Sequence, residues 1–376
     1  MTSSDPASSP TPPAVLTDRE IGLARLAAHG LVRPADMAPE EVVRALGAVQ
    51  AQDLPGALVS VGLRRAAGPG GLREAFDDGR IVRTWPMRGT LHLVPAEELR
   101  AWLAVLGPRT VSSTAARRRE LGIDERLDAA RETALAALRH GPQPRERLHA
   151  AWDEAGLLGA PGRAYHLMLA LHLDASLCMG PLSGNARDQL VVPVADWVPG
   201  PADEPGHAPA GPGVPPVVVR WVRRYLRSHG PASVADAARW AALPRSTVRT
   251  AVGVLDDVVA VRDRAGQELW CAPEVLENAA RTGRRAAGVH LLPPFDEYVL
   301  GYGDRSHVLA RQHAARIVPG ANGVFRPTVV AGGRIVGTWG RSRGAASPGP
   351  VLEPFEELSA TRRQDAERAF ARLPVL

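Results

Sequence analysis

The side chains best placed to do chemistry fall in one short run, Val49-Gln50-Ala51-Gln52-Asp53, where polar groups interrupt an apolar segment. Gln50 and Gln52 are uncharged amides two positions apart. Such a pair does not share a helix face, so at a helix end one amide can look into a cavity while the other braces it or a backbone group. A pair of capping glutamines at a turn is the plainer alternative, and spacing leaves both open. Asp53 adds a carboxylate, either as a general base or as a helix-end cap or ion-pair partner of an arginine such as Arg64. His92, within Thr90-Leu91-His92-Leu93, has three open roles: contact with a phosphate, lining of a cavity, or burial with a hydrogen bond.

Absent residues narrow the chemistry further. All 45 Lys+Arg residues are arginine, because the chain contains no lysine. That excludes a Walker-type phosphate loop, a pyridoxal Schiff base and a side-chain amine that attacks a sugar carbon. Cys178 and Cys271 are far apart and outside any CxxC pair, which excludes a Cys-rich zinc site, an iron–sulfur cluster and a disulfide scaffold. His166 and His172 do not share a metal-binding helix face and no HExxH occurs, so neither metal nor cofactor is expected.

The elements that must position these groups follow from composition and periodicity. With 376 residues, 45% hydrophobic and 23% charged, the chain reads as a soluble protein of several domains. No apolar run approaches a membrane span and the start lacks signal-peptide features, so a cytoplasmic protein without a membrane partner is expected. Residues 1–16 read as a disordered leader, and 199–216 as a Pro/Gly-rich linker.

A repeat organises the middle. Arg139-His140-Gly141-Pro142 and Ser228-His229-Gly230-Pro231 each close one helix and open the next. In the later copy, spanning 217–285, helices are expected over Val217–Ser228, Val234–Leu243 with Ser233 as cap, and from a Ser246 cap to Leu255. A hairpin follows, Val258–Val261 and Glu268–Cys271 around Ala265-Gly266. Three helices and a hairpin make a winged helix.

The copy at 111–198 has the same order: helices Asp128–Arg139, Pro144–Ala155 and Gly162–Leu173, then strands at Leu177–Met179 and Gln189–Val192 around 180–185. A less regular third copy, 17–110, has helices Asp18–His29, Ala38–Val49 and Gly56–Arg64 with strands Ile81–Trp85 and Thr90–Val94. Residues 286–376 turn to short β runs, namely Val289–Leu292, Val324-Phe325, Thr328–Val330 and Arg334–Trp339 with a Gly332-Gly333 turn, and end in a charged helix Ser359–Arg372. The expected fold is therefore mainly α with β: three tandem winged helices followed by a small C-terminal β-barrel.

A net charge of +5 is modest, so a nucleic-acid partner must be argued from where the arginines fall. Arg245 and Arg249 lie on the expected recognition helix, Arg262 and Arg264 at its wing, and Arg83 and Arg88 on the first hairpin. Arg117, Arg118 and Arg119 share a helix between units.

Four blocks in order carry a resemblance: Val49-Gln50-Ala51-Gln52-Asp53, Arg88-Gly89-Thr90-Leu91-His92-Leu93-Val94, Pro294-Phe295-Asp296, and the hairpin from Phe325 to Trp339. Together the sequence resembles the AlkZ-type DNA glycosylases over nearly its whole length. The resemblance implies three winged helices and a β-barrel, with Gln50-Ala51-Gln52 as the family's Gln-apolar-Gln motif. It also implies removal of alkylated purines from double-stranded DNA, crosslink unhooking and self-resistance to a DNA-alkylating antibiotic. In such a protein Gln50 and Gln52 would be catalytic, and the hairpin carrying Gly332, Gly333 and Arg334 would enter the DNA beside the lesion. Asp296 and Asp304-Arg305 are expected only as a structural ion pair or cap. Without lysine, imine-based cleavage of the abasic product is unavailable, so a monofunctional glycosylase is expected; a monomer is expected separately. The rival from another class is a winged-helix DNA-binding regulator without chemistry.

Overall fold

The computed structural model describes residues 13–184, 188–198, 200, 213–321, 323–342 and 349–373. Its first helix, Asp18–Ala28, opens with a capping box in which the Thr17 hydroxyl accepts from the Glu20 amide and the Glu20 carboxylate accepts from Thr17. Structure begins earlier than composition suggests. Val15–Leu16 forms a strand parallel to Val259–Asp263, which corrects the expectation of a leader without structure through residue 16. Residues 1–12 lie outside the described residues, as do 199 and 201–212 of the linker, whose last residue Pro216 starts the helix Pro216–His229.

The second correction decides where the glutamines sit. The helix expected over Ala38–Val49 spans Pro39–Leu46 and stops at Gly47, which has φ +86°. A side chain there would be strained, and its Cβ would come within 2.8 Å of the Trp240 ring, so glycine is needed twice over. Freed from the helix, Val49–Gln50 becomes a short strand that pairs antiparallel with Thr90–Pro95, placing Gln50 opposite His92.

That strand is the edge of a five-stranded antiparallel sheet. In order it contains Val49–Gln50, Thr90–Pro95, Ile81–Met87, Leu177–Leu182 and Gln189–Pro193. The first two hairpins, expected in separate units, thus share one sheet, joined where Arg83 pairs with Met179. Asn185 of the second loop lies outside the described residues.

Helices of both units, among them Leu99–Glu120 and Arg163–Leu173, cover this sheet in a core that continues into the third unit. There Trp102 stacks on Trp221 with ring centroids 3.7 Å apart, and Trp240 meets Trp102 edge-on.

In the third unit, helices Pro216–His229, Val234–Trp240 and Arg245–Gly253 precede the hairpin Val259–Asp263 and Glu268–Cys271. Ser233 caps as its sequence predicts, with Asp236 completing the box. Ser246 does not cap, because Pro244 holds that position and the helix begins at Arg245.

Beyond residue 288, strands Val289–Leu292, Thr328–Ala331, Arg334–Arg341 and Pro350–Pro354 form an open antiparallel sheet in that order. The first and last strands do not pair with each other, so no barrel closes among the described residues. Val324 and Phe325 are not strand, whereas Pro350–Pro354 is a strand that sequence reading missed. Ser359 caps the terminal helix Ala360–Ala371. No helix of the described residues is long and apolar enough to cross a membrane.

The Gly332-Gly333 turn is docked on the first helix, not projected outward. The Tyr298 hydroxyl donates to the Gly333 carbonyl at 2.8 Å and lies 3.3 Å from that of Gly22. A Cβ on Gly22 would overlap the Gly333 carbonyl oxygen and lie 2.9 Å from its carbon. We therefore expect Gly22→Ala to destabilise the protein by roughly 2 kcal/mol through overpacking. Gly253→Ala, on an exposed helical position with nothing within 4 Å, should be neutral or stabilising by up to about 1 kcal/mol. Urea unfolding of both variants checks the contrast.

Candidate functional site

A chain of hydrogen bonds holds the glutamine segment. The Gln50 amide donates to Glu297 Oε1 at 3.1 Å, the Gln52 amide to Gln50 Oε1 at 3.2 Å, and the Leu91 amide to Gln52 Oε1 at 3.1 Å. Ala51 closes the bridge from the other side, its amide donating to the Leu91 carbonyl at 2.8 Å. Gln50 is 5% exposed, whereas Gln52 is exposed. The two amides therefore divide the labour by strand geometry rather than by helix faces: the buried one braces backbone and the exposed one is presented. A carbonyl oxygen accepts two hydrogen bonds, so Gln52 Oε1 keeps a lone pair beyond its bond to Leu91.

Glu297, which sequence reading missed, anchors the chain. It is fully buried and starts the short helix Glu297–Leu300. Its Oε2 accepts from the Trp240 indole N–H at 3.0 Å and lies 3.5 Å from His229 Nε2. Burial opposes its charge, but His229, Arg88 and His92 together hold the carboxyl well below the usual carboxylate range. Burial in turn keeps His229 and His92 below ordinary histidine values, so the lasting partners of the charge are the Gln50 and Trp240 N–H groups and the Arg88 guanidinium.

Asp296, one residue earlier, faces another way. It accepts both Nη groups of Arg64 at 2.9 Å, the Ser60 hydroxyl at 2.7 Å and the Tyr298 amide at 2.9 Å. It is the ion pair and cap its sequence suggests. Phe295, at φ +59°, holds the backbone before these two carboxylates in a left-handed conformation uncommon for an aromatic residue. Arg64 is thereby committed to Asp296, so of the readings open to Asp53 the ion pair with Arg64 is not formed. Asp53 occupies the N-cap of the helix Leu54–Leu63, with Oδ2 against Gly56. Burial raises its pKa, with the Gly56 amide and Arg83 pulling the other way.

His92 is buried, and its Nδ1–H donates to the Thr90 carbonyl at 2.9 Å, leaving Nε2 to accept from Arg88 Nη2 at 3.0 Å. It has no surface to offer DNA. The same correction applies to Arg83, buried against Met179 Sδ at 3.7 Å, and to Arg118, buried in an ion pair with Asp124. Arg117 pairs with Glu120, while Arg245, Arg249, Arg262 and Arg264 are exposed.

Arg88 is half-buried and reaches an open cleft of about 840 Å³ between the first hairpin turn, the helix Leu99–Glu120 and the helix Val234–Trp240. Arg334 lies elsewhere, in a cleft of about 400 Å³ shared with Arg19, Arg362, Glu356 and Glu357, so its surroundings carry both signs of charge.

Residues 43–374 match the model of the family described as DNA glycosylase AlkZ-like. An interstrand DNA cross-link repair glycosylase of Streptomyces sahachiroi is 29% identical over 328 residues, which cover 80% of this chain and 81% of that protein. The solved structure of Streptomyces sahachiroi DNA glycosylase AlkZ is similar in fold, with a TM-score of 0.72 at 24% identity over 96% of each chain.

The buried histidines set an acid limit. Burial first, then the Arg88 charge, lowers His92 to about 3, and burial lowers His172 to about 4. Each titrates near 6.5 when unfolded, so its contribution is full above that value and is lost as the pH falls toward the folded value. At pH 5 the loss is about 2 kcal/mol per histidine. The melting temperature should fall steadily from pH 7 to pH 5; a flat profile would contradict neutral burial. Glu297→Gln leaves one of two buried N–H donors without an acceptor and should cost about 1–3 kcal/mol at pH 7, read by urea unfolding.

Proposed function

The chain belongs to the AlkZ-like family of DNA glycosylases, and from that premise we propose that it hydrolyses the N-glycosidic bond of bulky or crosslinked N-alkylpurines in duplex DNA, unhooking interstrand crosslinks, with Gln52 at the reacting sugar and the buried Gln50 bracing it from behind. A purine alkylated at N7 or N3 is cationic, and its bond to the sugar is already weakened. The base leaves without protonation, so a strong general acid is dispensable. What the protein must supply is a fixed dipole against the oxocarbenium-like sugar and a held water near C1′.

The observation that carries this reading is the exposed Gln52 carboxamide, fixed at Oε1 by the Leu91 amide and retaining acceptor capacity. Gln50 supports it by accepting the Gln52 amide, and Glu297 supports Gln50. An uncharged amide activates water less than a carboxylate does, so selectivity for labile cationic lesions follows. The absence of lysine supports a monofunctional enzyme that leaves an intact abasic site.

In this reading the helix–helix–helix–hairpin units act as winged helices on a duplex, with Arg245, Arg249, Arg262 and Arg264 meeting phosphates. The protein acts as a cytoplasmic monomer without metal or cofactor, and crosslink unhooking would serve self-resistance to a DNA-alkylating metabolite. The relative described as an interstrand DNA cross-link repair glycosylase supports the crosslink as substrate class.

A second reading gives water activation to Asp53, favoured by its burial and raised pKa beside the motif. Single-turnover release of free base from an N7-methylguanine duplex separates the two. Gln52→Ala should slow release about 10²–10³-fold, with duplex affinity within about threefold of wild type. Asp53→Asn should slow it far less. Equal loss in Asp53→Asn would transfer the role to Asp53, and unchanged release in Gln52→Ala would overturn the glutamine assignment.

A further inference from the structure

The cleft beside the first hairpin is lined by four arginines drawn from three places in the chain: Arg88 from the hairpin turn, Arg109 from the helix Leu99–Glu120, and Arg239 and Arg245 from the third unit. Ser113 and Thr114 also line it, but their hydroxyls already donate to the Thr110 carbonyl, so the arginines are its donors. No carboxylate lines this cleft among the described residues. Several other surface arginines are ion-paired. Arg117, Arg131, Arg145, Arg223 and Arg281 all have a carboxylate within 4.0 Å, whereas Arg88 and Arg239 are hydrogen-bonded to the neutral acceptors His92 Nε2 and the Tyr302 carbonyl.

Grouping like charges costs energy that the buried Glu297, behind the cleft, offsets only in part for Arg88. Arg88 shows it: burial first, and the Arg239 charge among the rest, lower its pKa, and its Nε is buried without a hydrogen-bond partner. Glu297, the carboxylate that acts on Arg88, is already engaged by the Gln50 and Trp240 N–H groups. Planar guanidiniums lining an open concavity suit the oxygens of a phosphodiester, which accept forked, charge-assisted hydrogen bonds.

We propose that this cleft is a backbone-phosphate site for the DNA, in which Arg109 and Arg239 complete a clamp begun by Arg88 and Arg245. The proposal deepens the glycosylase reading and rests on it for the identity of the polyanion. Its consequence is register. Arg88 also donates to His92, the cross-strand partner of Gln50, so a phosphate seated on Arg88 is tied through two side chains to the strand that carries the glutamines. Phosphate contacts fix where a duplex lies without reading its sequence, and this one would fix it relative to Gln52.

Arg109 and Arg239 are exposed, so truncating their charge should leave the fold intact. Affinity for an undamaged duplex is measured from about 50 to 200 mM salt for wild type, Arg109→Gln, Arg239→Gln and Arg281→Gln. The first two variants should each weaken binding about tenfold at the low end and reduce the slope of log affinity against log salt by about one. Arg281→Gln, paired with Glu277 on another surface, should match wild type in both. Thermal melting in inorganic phosphate forms the second arm. Stabilisation by phosphate that Arg109→Gln abolishes, with an unmoved DNA salt slope, would mark a small-anion site and overturn the proposal. So would affinity and slope equal to wild type in both variants. Because the duplex carries no lesion, failure of base release would count against the glycosylase chemistry and leave this result standing.

Discussion

The buried carboxylate of Glu297 is the constraint on which the rest depends. An ionised group with no exposure is costly unless its oxygens are satisfied, and here the donors come from two distant regions of the chain: the Gln50 amide and the Trp240 indole. Satisfying the charge therefore requires the glutamine strand, the third helical unit and the C-terminal region to meet at one point. A hydrophobic residue at that position could fill the same volume, but it would leave two buried N–H groups without partners and nothing to orient the strand. The geometry of the glutamines is thus a by-product of neutralising one charge.

Around that point the packing is aromatic and polar together. The His29 Nε2–H donates to the Tyr302 hydroxyl at 3.0 Å, that hydroxyl donates to the His229 carbonyl, and the Arg25 guanidinium lies 3.8 Å from the Tyr302 ring centroid. Tyr225 stacks on His229 and donates to the Gly301 carbonyl. These groups have few rotamers and specific partners, so they rigidify the junction more than an aliphatic core of equal volume would. The proposed action of the glutamines, presenting a fixed dipole without delivering a proton, would need that stiffness, because misplacing an amide by an ångström forfeits most of its effect.

Much of the fold was legible locally. The Ser233 cap, the two His-Gly-Pro segments and the hairpin strands Ile81–Met87 and Thr90–Pro95 carry local signals in capping and turn chemistry, and each stands close to where its sequence put it. What failed was long-range. Gly47 reads as one more residue in an apolar helix until Trp240 and a positive φ demand glycine there, and the strand of Gln50 follows from that break. Two hairpins that look alike in sequence share a sheet because a single bridge, Arg83 to Met179, joins their edges. Residue type misled for Arg83 and Arg118, which read as surface groups and are buried, whereas for His92 burial with a hydrogen bond was one of three readings its sequence left open. Glu297 lies 247 residues from Gln50 and carries no local signal beyond following Pro294-Phe295-Asp296, so its role could be seen only after the chain closed on itself.

The claim that Glu297 serves catalysis by holding the glutamines is most directly tested by combining substitutions. Single-turnover release of N7-methylguanine is measured for Glu297→Gln, Gln52→Ala and the double variant, each at saturating enzyme. If the carboxylate works through the amides, Glu297→Gln is slowed and the double variant is no slower than Gln52→Ala, because its anchor has nothing left to position. Losses that multiply in the double variant, or full activity in Glu297→Gln, would contradict the account.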